Sequence, residues 1–168
     1  MANEKESALI AKFETMINTA DETLAKELVA EDAIFYAPTS PEPLKGPKGY
    51  LSIVHMMRSA FSDVQWHLED CVISSDKIAV CWSCTGTHDG NFMGHPATGK
   101  KFKVRCMNFY GLKDGKFVSD VGSPDILGIL MQTGLLRPES KHITSPRVID
   151  AAAVLRALLD CPVERQPQ

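Results

Sequence analysis

The sequence predicts an α+β fold in which helices lie on one side of a curved antiparallel sheet. In the first third of the 168-residue chain, apolar residues recur at three- and four-residue steps, which is typical of amphipathic helices. From Val64 the pattern changes to strict alternation and continues through three long runs, which is typical of strands. Because the helices come first and the long strands follow, the two kinds of element belong to separate layers.

Two helices are predicted before any strand. The first covers about residues 7–18, where five apolar side chains share one face: Leu9, Ile10, Phe13, Met16 and Ile17. Thr19 followed by Glu22 matches a capping box and predicts a second, short helix that ends near Val29. One face of this helical pair should therefore be buried against the rest of the domain.

A brief strand is predicted over residues 33–36, ahead of a third helix. Prolines at 38, 41 and 43 end this strand, because proline cannot donate to a ladder. Gly46 and Pro47 then precede a helical pattern over residues 48–61.

Three long strands are predicted over residues 64–73, 77–87 and 100–112, with a fourth strand over residues 117–121. Short polar turns join most of them, and the Asp-Gly pair at residues 114–115 is a strong hairpin signal. These strands should form an antiparallel meander.

The C-terminal part of the chain predicts two more helices. Ser123 can cap a helix over residues 124–133, which Gly134 is well placed to end. The domain is therefore expected to cover residues 1–137. Residues 138–168 should form a connector and an amphipathic helix at about 147–160, whose apolar stripe must be covered by the domain or by a partner subunit. The expected assembly is a homodimer or a higher homo-oligomer.

Composition excludes several classes of protein. The net charge is −3 and no basic run is present, which argues against a nucleic-acid partner. No stretch approaches the roughly 20 apolar residues of a membrane span, and the charged start does not resemble a leader, so a cytoplasmic protein is expected. Five cysteines are present, and alternation projects Cys81 and Cys84 onto opposite faces of one strand, which argues against a zinc or redox site.

The connection between the second and third long strands is rich in glycine. Residues 86–99 contain four glycines and Pro96, which predict a bent loop of defined shape at the rim of the sheet.

Several short segments occur in an order that resembles one known family. They are Ala33-Ile-Phe-Tyr-Ala-Pro, Gly46-Pro-Lys-Gly-Tyr, Ala60-Phe-Ser-Asp, Gly86-Thr-His-Asp-Gly, Gly94-His-Pro-Ala-Thr-Gly, Asn108-Phe-Tyr, Asp114-Gly-Lys and Pro124-Asp-Ile-Leu-Gly-Ile-Leu-Met-Gln. Their order and spacing over residues 13–134 resemble the SnoaL-like polyketide cyclase family. The resemblance implies a cone-shaped α+β barrel, shared with scytalone dehydratase and ketosteroid isomerase. It also implies a cavity for a hydrophobic, polyketide-derived substrate.

The resemblance places a catalytic carboxylate at Asp125, as the general base. Without the resemblance, Asp125 is an acid in the first turn of a helix, where it stabilises the helix dipole. A base that takes a proton from carbon next to a carbonyl needs a raised pKa and a nearby donor for the developing enolate.

Alternation offers two candidates for that donor. Asn108 lies on one face of the third long strand with apolar neighbours, whereas Arg105 lies on the other face between Lys101 and Lys103. Either side chain could stabilise an enolate, depending on which face is concave.

Two histidines are candidates for chemistry near neutral pH. His55 lies in the apolar stripe of the third helix, either as a core histidine or as a cavity-facing acid or base. His88 stands at a strand end, where a loop-fixing hydrogen bond competes with a functional role. No HxxxH or HxH spacing exists, so no metal site is predicted.

Three aromatic residues complete the predicted pocket. Trp66 and Trp82 could present flat surfaces to a ring system or simply pack in the core. Tyr36 matches a position where the family commonly has a polar aromatic group, so its hydroxyl could orient a substrate carbonyl. Val121 replaces a tryptophan common in the family and is expected to reshape the cavity near Asp125.

The sequence therefore predicts a cofactor-independent cyclase or isomerase of secondary metabolism. Its expected reaction is proton abstraction next to a carbonyl, followed by ring closure or rearrangement. Two alternatives stay open: a dehydratase or hydrolase in the same cavity, which would need a histidine such as His55, or a noncatalytic ligand-binding or dimerisation module.

Overall fold

The computed structural model describes residues 2–37 and 42–136, with side chains from Ser7 onward. These residues form four helices and six strands. In chain order they are α1 (Ala2–Thr19), α2 (Glu22–Leu28), β1 (Val29–Phe35), β2 (Leu44–Lys45), α3 (Gly46–Ala60), β3 (Gln65–Ile73), β4 (Lys77–Thr87), β5 (Lys101–Lys113), β6 (Lys116–Pro124) and α4 (Ile126–Thr133).

All six strands belong to one sheet, in the order β2-β1-β6-β5-β4-β3. The four long strands form the predicted antiparallel meander, and the predicted α+β class is confirmed. Two details differ from the prediction: β1 pairs with β6 in parallel, and the sheet stays open between β2 and β3 instead of closing into a barrel. Bulges between Leu68 and Asp70 and between Gly111 and Leu112 bend the long strands.

The second helix begins later and ends slightly earlier than the sequence predicts. Its N-cap is Asp21 rather than Thr19, because the Asp21 carboxylate accepts hydrogen bonds from the backbone N–H groups of Thr23 (2.7 Å) and Leu24 (2.9 Å). The helix ends at Leu28, and Val29 already belongs to β1.

The core has two parts. The larger part lies where α1 packs against the sheet and centres on Phe13, whose side chain is fully buried. The smaller part lies beneath the glycine-rich loop and includes Phe61, Phe92 and Phe102. Phe61 stands between the other two rings, at centroid distances of 4.8 and 4.9 Å.

The glycine-rich loop is fastened to the end of α3. Asp63 accepts hydrogen bonds from the N–H (2.6 Å) and hydroxyl (2.7 Å) of Thr87, and Asp89 accepts from the N–H (2.9 Å) and hydroxyl of Ser62. Gly94 takes a left-handed φ of 84°, as a bend of this kind requires. The loop therefore has a defined shape at the rim of the sheet.

Helix α4 packs against the part of β5 that lies beyond the end of β6. The Gln132 side chain accepts from the N–H of Lys103 (2.9 Å) and donates to its carbonyl (3.0 Å), which extends the ladder of β5. Gly134 ends the helix in the left-handed conformation, with φ 77°, as predicted. The N-cap is Asp125 rather than Ser123, because Ser123 and Pro124 still belong to β6.

An apolar row crosses the outer face of the sheet. Val72, Ala79, Phe109 and Val121 are paired in register across β3, β4, β5 and β6. Val121 is 65% exposed there, so its side chain points away from the cavity and does not reshape it, contrary to expectation. The homo-oligomer stays a prediction.

Residues 2–37 and 42–136 belong to one compact unit. The connector and amphipathic helix predicted for residues 138–168 lie outside the described residues. Within the described part of the chain, no helix combines the length and the apolar composition needed to cross a membrane.

Candidate active site

A cavity lies between the concave face of the sheet and the helices. The empty space within it, which includes open solvent at its mouth, is about 1000 Å³. Most of its wall is apolar. The helices contribute Ile17, Tyr50, Ile53, Val54, Met56, Met57, Ile126 and Ile129, and the strands and loops contribute Tyr36, Ala37, Trp66, Trp82, Cys84, Phe92, Cys106, Asn108, Tyr110, Asp120, Gly122 and Pro124.

Asp120 is an acidic residue in this wall. It lies on β6, and its burial raises the pKa of the carboxyl to about 6. One hydrogen bond works in the opposite direction, since the Nδ2 of Asn108 donates to Oδ1 of Asp120 at 2.8 Å and stabilises the charged form. The carboxyl therefore titrates close to neutral pH, as a general base requires.

A glycine makes room for the bond between Asn108 and Asp120. Asn108 on β5 is paired with Gly122 on β6, and its amide occupies the space where a side chain at position 122 would lie. A Cβ atom on Gly122 would overlap with Nδ2 of Asn108. The absence of a side chain at Gly122 therefore allows Asn108 to reach the carboxylate.

We expect Gly122→Ala to displace the Asn108 amide and to raise the pKa of Asp120 above about 6, because the charged carboxylate loses its hydrogen-bond donor. The acid limb of any activity that needs the ionised carboxylate should then move to higher pH. A ¹³C NMR titration of the Asp120 carboxyl measures the shift. Ser123→Ala, on the exposed side of the same strand, serves as the control and should leave the titration unchanged.

Beside Asp120, three aromatic side chains form a buried chain of hydrogen bonds. The Nε1 of Trp82 donates to the hydroxyl of Tyr110 at 3.2 Å, and Tyr110 in turn shares a hydrogen bond with the hydroxyl of Tyr50. Burial, followed by the nearby negative charge of Asp120, raises the pKa of Tyr50. Burial also raises the pKa of Tyr110. Both phenols are therefore neutral throughout the physiological range.

The structure places Asp125 differently from the expectation. Its carboxylate caps α4 by accepting a hydrogen bond from the N–H of Gly128 at 2.7 Å. The residue is exposed and does not line the cavity, although its neighbours Pro124 and Ile126 do. The position of Asp125 therefore fits a helix cap, as expected without the family resemblance, and does not fit a catalytic base.

The two candidate donors on β5 are separated by the sheet. Asn108 lines the cavity beside Asp120. Arg105 lies on the outer face, where its Nε donates to the Glu69 carboxylate at 2.9 Å. The concave side is therefore that of Asn108, and Arg105 cannot reach a substrate in the cavity.

Neither candidate histidine lines the cavity. His55 is exposed on α3, so it is neither a core residue nor a partner for a cavity carboxylate, contrary to both sequence-based interpretations. His88 is fully buried beneath the rim, where its Nδ1 lies 3.0 Å from the Thr98 hydroxyl and its backbone carbonyl accepts from Thr98 (3.1 Å) and Gly99 (2.8 Å). The hydrogen bonds of His88 therefore fix the loop, which was the alternative to a functional role for this residue.

The three predicted aromatic residues all line the cavity. Trp82 is 2% exposed and Trp66 is partly buried, whereas Tyr36 is 69% exposed and stands just beyond β1. Asn18 clamps the backbone of Trp66 by accepting from its N–H (2.8 Å) and donating to its carbonyl (2.6 Å). Within residues 2–37 and 42–136, no cluster of three histidine, cysteine, aspartate or glutamate side chains is arranged to hold a metal ion.

Sequence reasoning missed Asp120, Tyr50 and Tyr110 as site residues. The available signal for Asp120 was an acid inside a predicted strand. Its direction could not be read from alternation alone, because the register shift at the Gly111–Leu112 bulge leaves Val118 without a partner and changes which residues of β6 face inward.

Comparisons with known proteins agree with this architecture. Residues 8–133 match the family model for SnoaL-like polyketide cyclases. Aklanonic acid methyl ester cyclase DnrD from Streptomyces peucetius is 32% identical over 97 residues, which cover 56% of this chain. The match spans 66% of that relative, just under two thirds of its length.

Solved structures show the same fold. TsrD from Streptomyces laurentii superposes with a TM-score of 0.71 and 23% identity, over 79% of this chain and 97% of TsrD. IdmH from Streptomyces antibioticus gives a TM-score of 0.67 and 28% identity, over 76% of this chain and 97% of IdmH. Since the family model covers most of the chain, the protein belongs to the SnoaL-like polyketide cyclase family.

Proposed function

We propose that this protein is a cyclase in which Asp120 acts as the general base. The observation that carries the proposal is a carboxyl with a pKa of about 6 in the wall of an apolar cavity. A base of this pKa is ionised at neutral pH and still accepts a proton from an activated carbon acid. This assigns to Asp120 the role that the sequence suggested for Asp125.

The reaction follows from that assignment. The Asp120 carboxylate removes a proton from carbon next to a substrate carbonyl, and the C–H electron pair moves onto the carbonyl oxygen as an enolate. The enolate carbon then forms a bond to a second carbonyl of the same molecule, and the new alkoxide takes the proton back from Asp120. Atoms and charge balance without any cofactor, so we propose a cofactor-independent reaction.

Asn108 is a positioning residue in this scheme. Its Nδ2 holds one carboxylate oxygen of Asp120 and leaves the other free for the substrate proton. The same bond limits how far burial raises the pKa of Asp120. Without it, a larger fraction of the carboxyl would be protonated, and unable to act as a base, at neutral pH.

The proposed substrate is a fused-ring polyketide ester. The cavity wall offers apolar and aromatic surface for rings, with polar groups gathered near Asp120. The name of DnrD identifies aklanonic acid methyl ester as that enzyme's substrate, and we propose a compound of the same chemical class here.

The test is to incubate the purified protein with aklanonic acid methyl ester and to identify the product by mass spectrometry and NMR. Intramolecular carbon–carbon bond formation changes no atoms, so we expect a product of unchanged mass with one new ring. A product that has lost water would support the dehydratase alternative instead. Ester cleavage would support a hydrolase, and binding without conversion would support a noncatalytic ligand-binding module.

A further inference from the structure

The hydrogen-bond chain beside Asp120 has a direction, which is set by Trp82. An indole N–H only donates, so the Tyr110 hydroxyl accepts from Trp82 at 3.2 Å. A phenol oxygen has two favourable in-plane positions, one for its own proton and one for an accepted bond. Because Trp82 fills the accepting position, the Tyr110 hydroxyl donates a hydrogen bond to the Tyr50 oxygen.

This series of hydrogen bonds therefore ends at Tyr50, whose hydroxyl group can still donate a hydrogen bond. Its oxygen accepts from Tyr110, and no group among the described residues is recorded as accepting its own proton. Tyr50 lines the cavity and is only 8% exposed, so the proton is directed at cavity contents rather than at bulk water. A ligand oxygen in the cavity can therefore serve as the acceptor of this hydroxyl proton.

The Tyr50 ring is held rigidly enough to fix this donor in place. It packs edge-on against Phe35 at a centroid distance of 4.9 Å, and its ring is tilted against Phe13 at 5.2 Å. Phe13 also contacts the ring of Tyr110 at 5.0 Å, so one fully buried side chain supports both phenols. A donor fixed in this way needs no reorganisation when charge develops next to it.

We propose that the Tyr50 hydroxyl donates a hydrogen bond to the substrate oxygen on which negative charge develops when Asp120 removes the proton. This inference rests on the proposed function and adds the group that stabilises the enolate. Tyr50 stays protonated throughout, since it donates a hydrogen bond and transfers no proton. Its raised pKa is consistent with that role.

Binding of 2-naphthol tests this donor without any turnover, because its oxygen on a planar ring mimics an enolate oxygen. We expect Tyr50→Phe to weaken binding at least about tenfold when introduced into an Asp120→Asn protein, where the base can no longer contact the naphthol as an anion. Ser119→Ala in the same background removes a hydroxyl from the outer face of β6 and should leave the affinity unchanged. Equal affinity with and without the Tyr50 hydroxyl, or no naphthol binding by Asp120→Asn, would overturn the proposal.

A second measurement separates substrate binding from an effect on the base. If Tyr50 donates to the substrate, Tyr50→Phe lowers kcat for aklanonic acid methyl ester about tenfold or more, while the ¹³C titration of Asp120 in the free protein is unchanged. If Tyr50 instead donates to the Asp120 carboxylate, the pKa of Asp120 rises in the variant, and the proposal is overturned. Failure of the cyclase proposal itself would be seen in the wild-type protein, as absent turnover with naphthol binding intact.

Discussion

Asp120→Asn is expected to lower kcat for cyclisation by about 10³, because an amide of nearly the same shape cannot accept the proton. The substrate should still bind, since the apolar wall is unchanged, so KM should move much less than kcat. Steady-state kinetics with aklanonic acid methyl ester measure both constants. The thermal stability of the same variant shows whether it folds correctly.

Asp120→Asn should be at least as stable as the wild-type protein at pH 7. The folded state raises the pKa of this acid from 3.8 to about 6, so it binds the proton more tightly than the unfolded chain does. The resulting stability cost is absent below pH 3.8 and fully present above about pH 6. A neutral amide removes that cost, and thermal unfolding at pH 5 and pH 7 should show the difference between the two proteins grow with pH.

Phe13→Ala is expected to lower the free energy of unfolding by about 3–5 kcal/mol, because it opens a cavity in the centre of the core. The Phe13 ring is fully buried, and its centroid lies within 5.2 Å of the ring centroids of Tyr50, Tyr110 and Phe117. Urea denaturation followed by tryptophan fluorescence gives the loss directly. Leu127→Ala provides a control, since Leu127 is 57% exposed and its truncation should cost far less.

The Phe13 substitution also links stability to the site. Tyr50 and Tyr110 lose a shared support, so kcat in the surviving folded fraction should fall together with the stability. A loss below about 1 kcal/mol would contradict the central position of Phe13 in the core.

Much of the fold follows from patterns that lie within single elements. Alternation over β5 correctly places Asn108 and Tyr110 on one face and Arg105 on the other, because side chains of a strand alternate by geometry. The parallel pairing of β1 with β6 could not be predicted in this way. It joins residues 29–35 to residues 117–120, and no local pattern records a contact between such distant segments.

Local sequence patterns also could not identify which acidic residue belongs to the site. Asp120 and Asp125 lie five residues apart, and in sequence both are acids near the end of the last strand. Only the three-dimensional arrangement separates them: the bulge in β6 turns Asp120 toward Asn108, and the start of α4 engages Asp125 as a cap. The position of His55 likewise depends on which side of α3 meets the sheet, a choice that its broad apolar stripe leaves open.

The central claim is that Asp120, and not Asp125, is the base. The most direct measurement compares the turnover of aklanonic acid methyl ester by Asp120→Asn and Asp125→Asn, each at saturating substrate and with its folded fraction determined. We predict that Asp120→Asn loses about 10³ in kcat, whereas Asp125→Asn stays within about tenfold of wild type, because an asparagine still caps α4. Full activity in Asp120→Asn together with loss of activity in Asp125→Asn would contradict the claim.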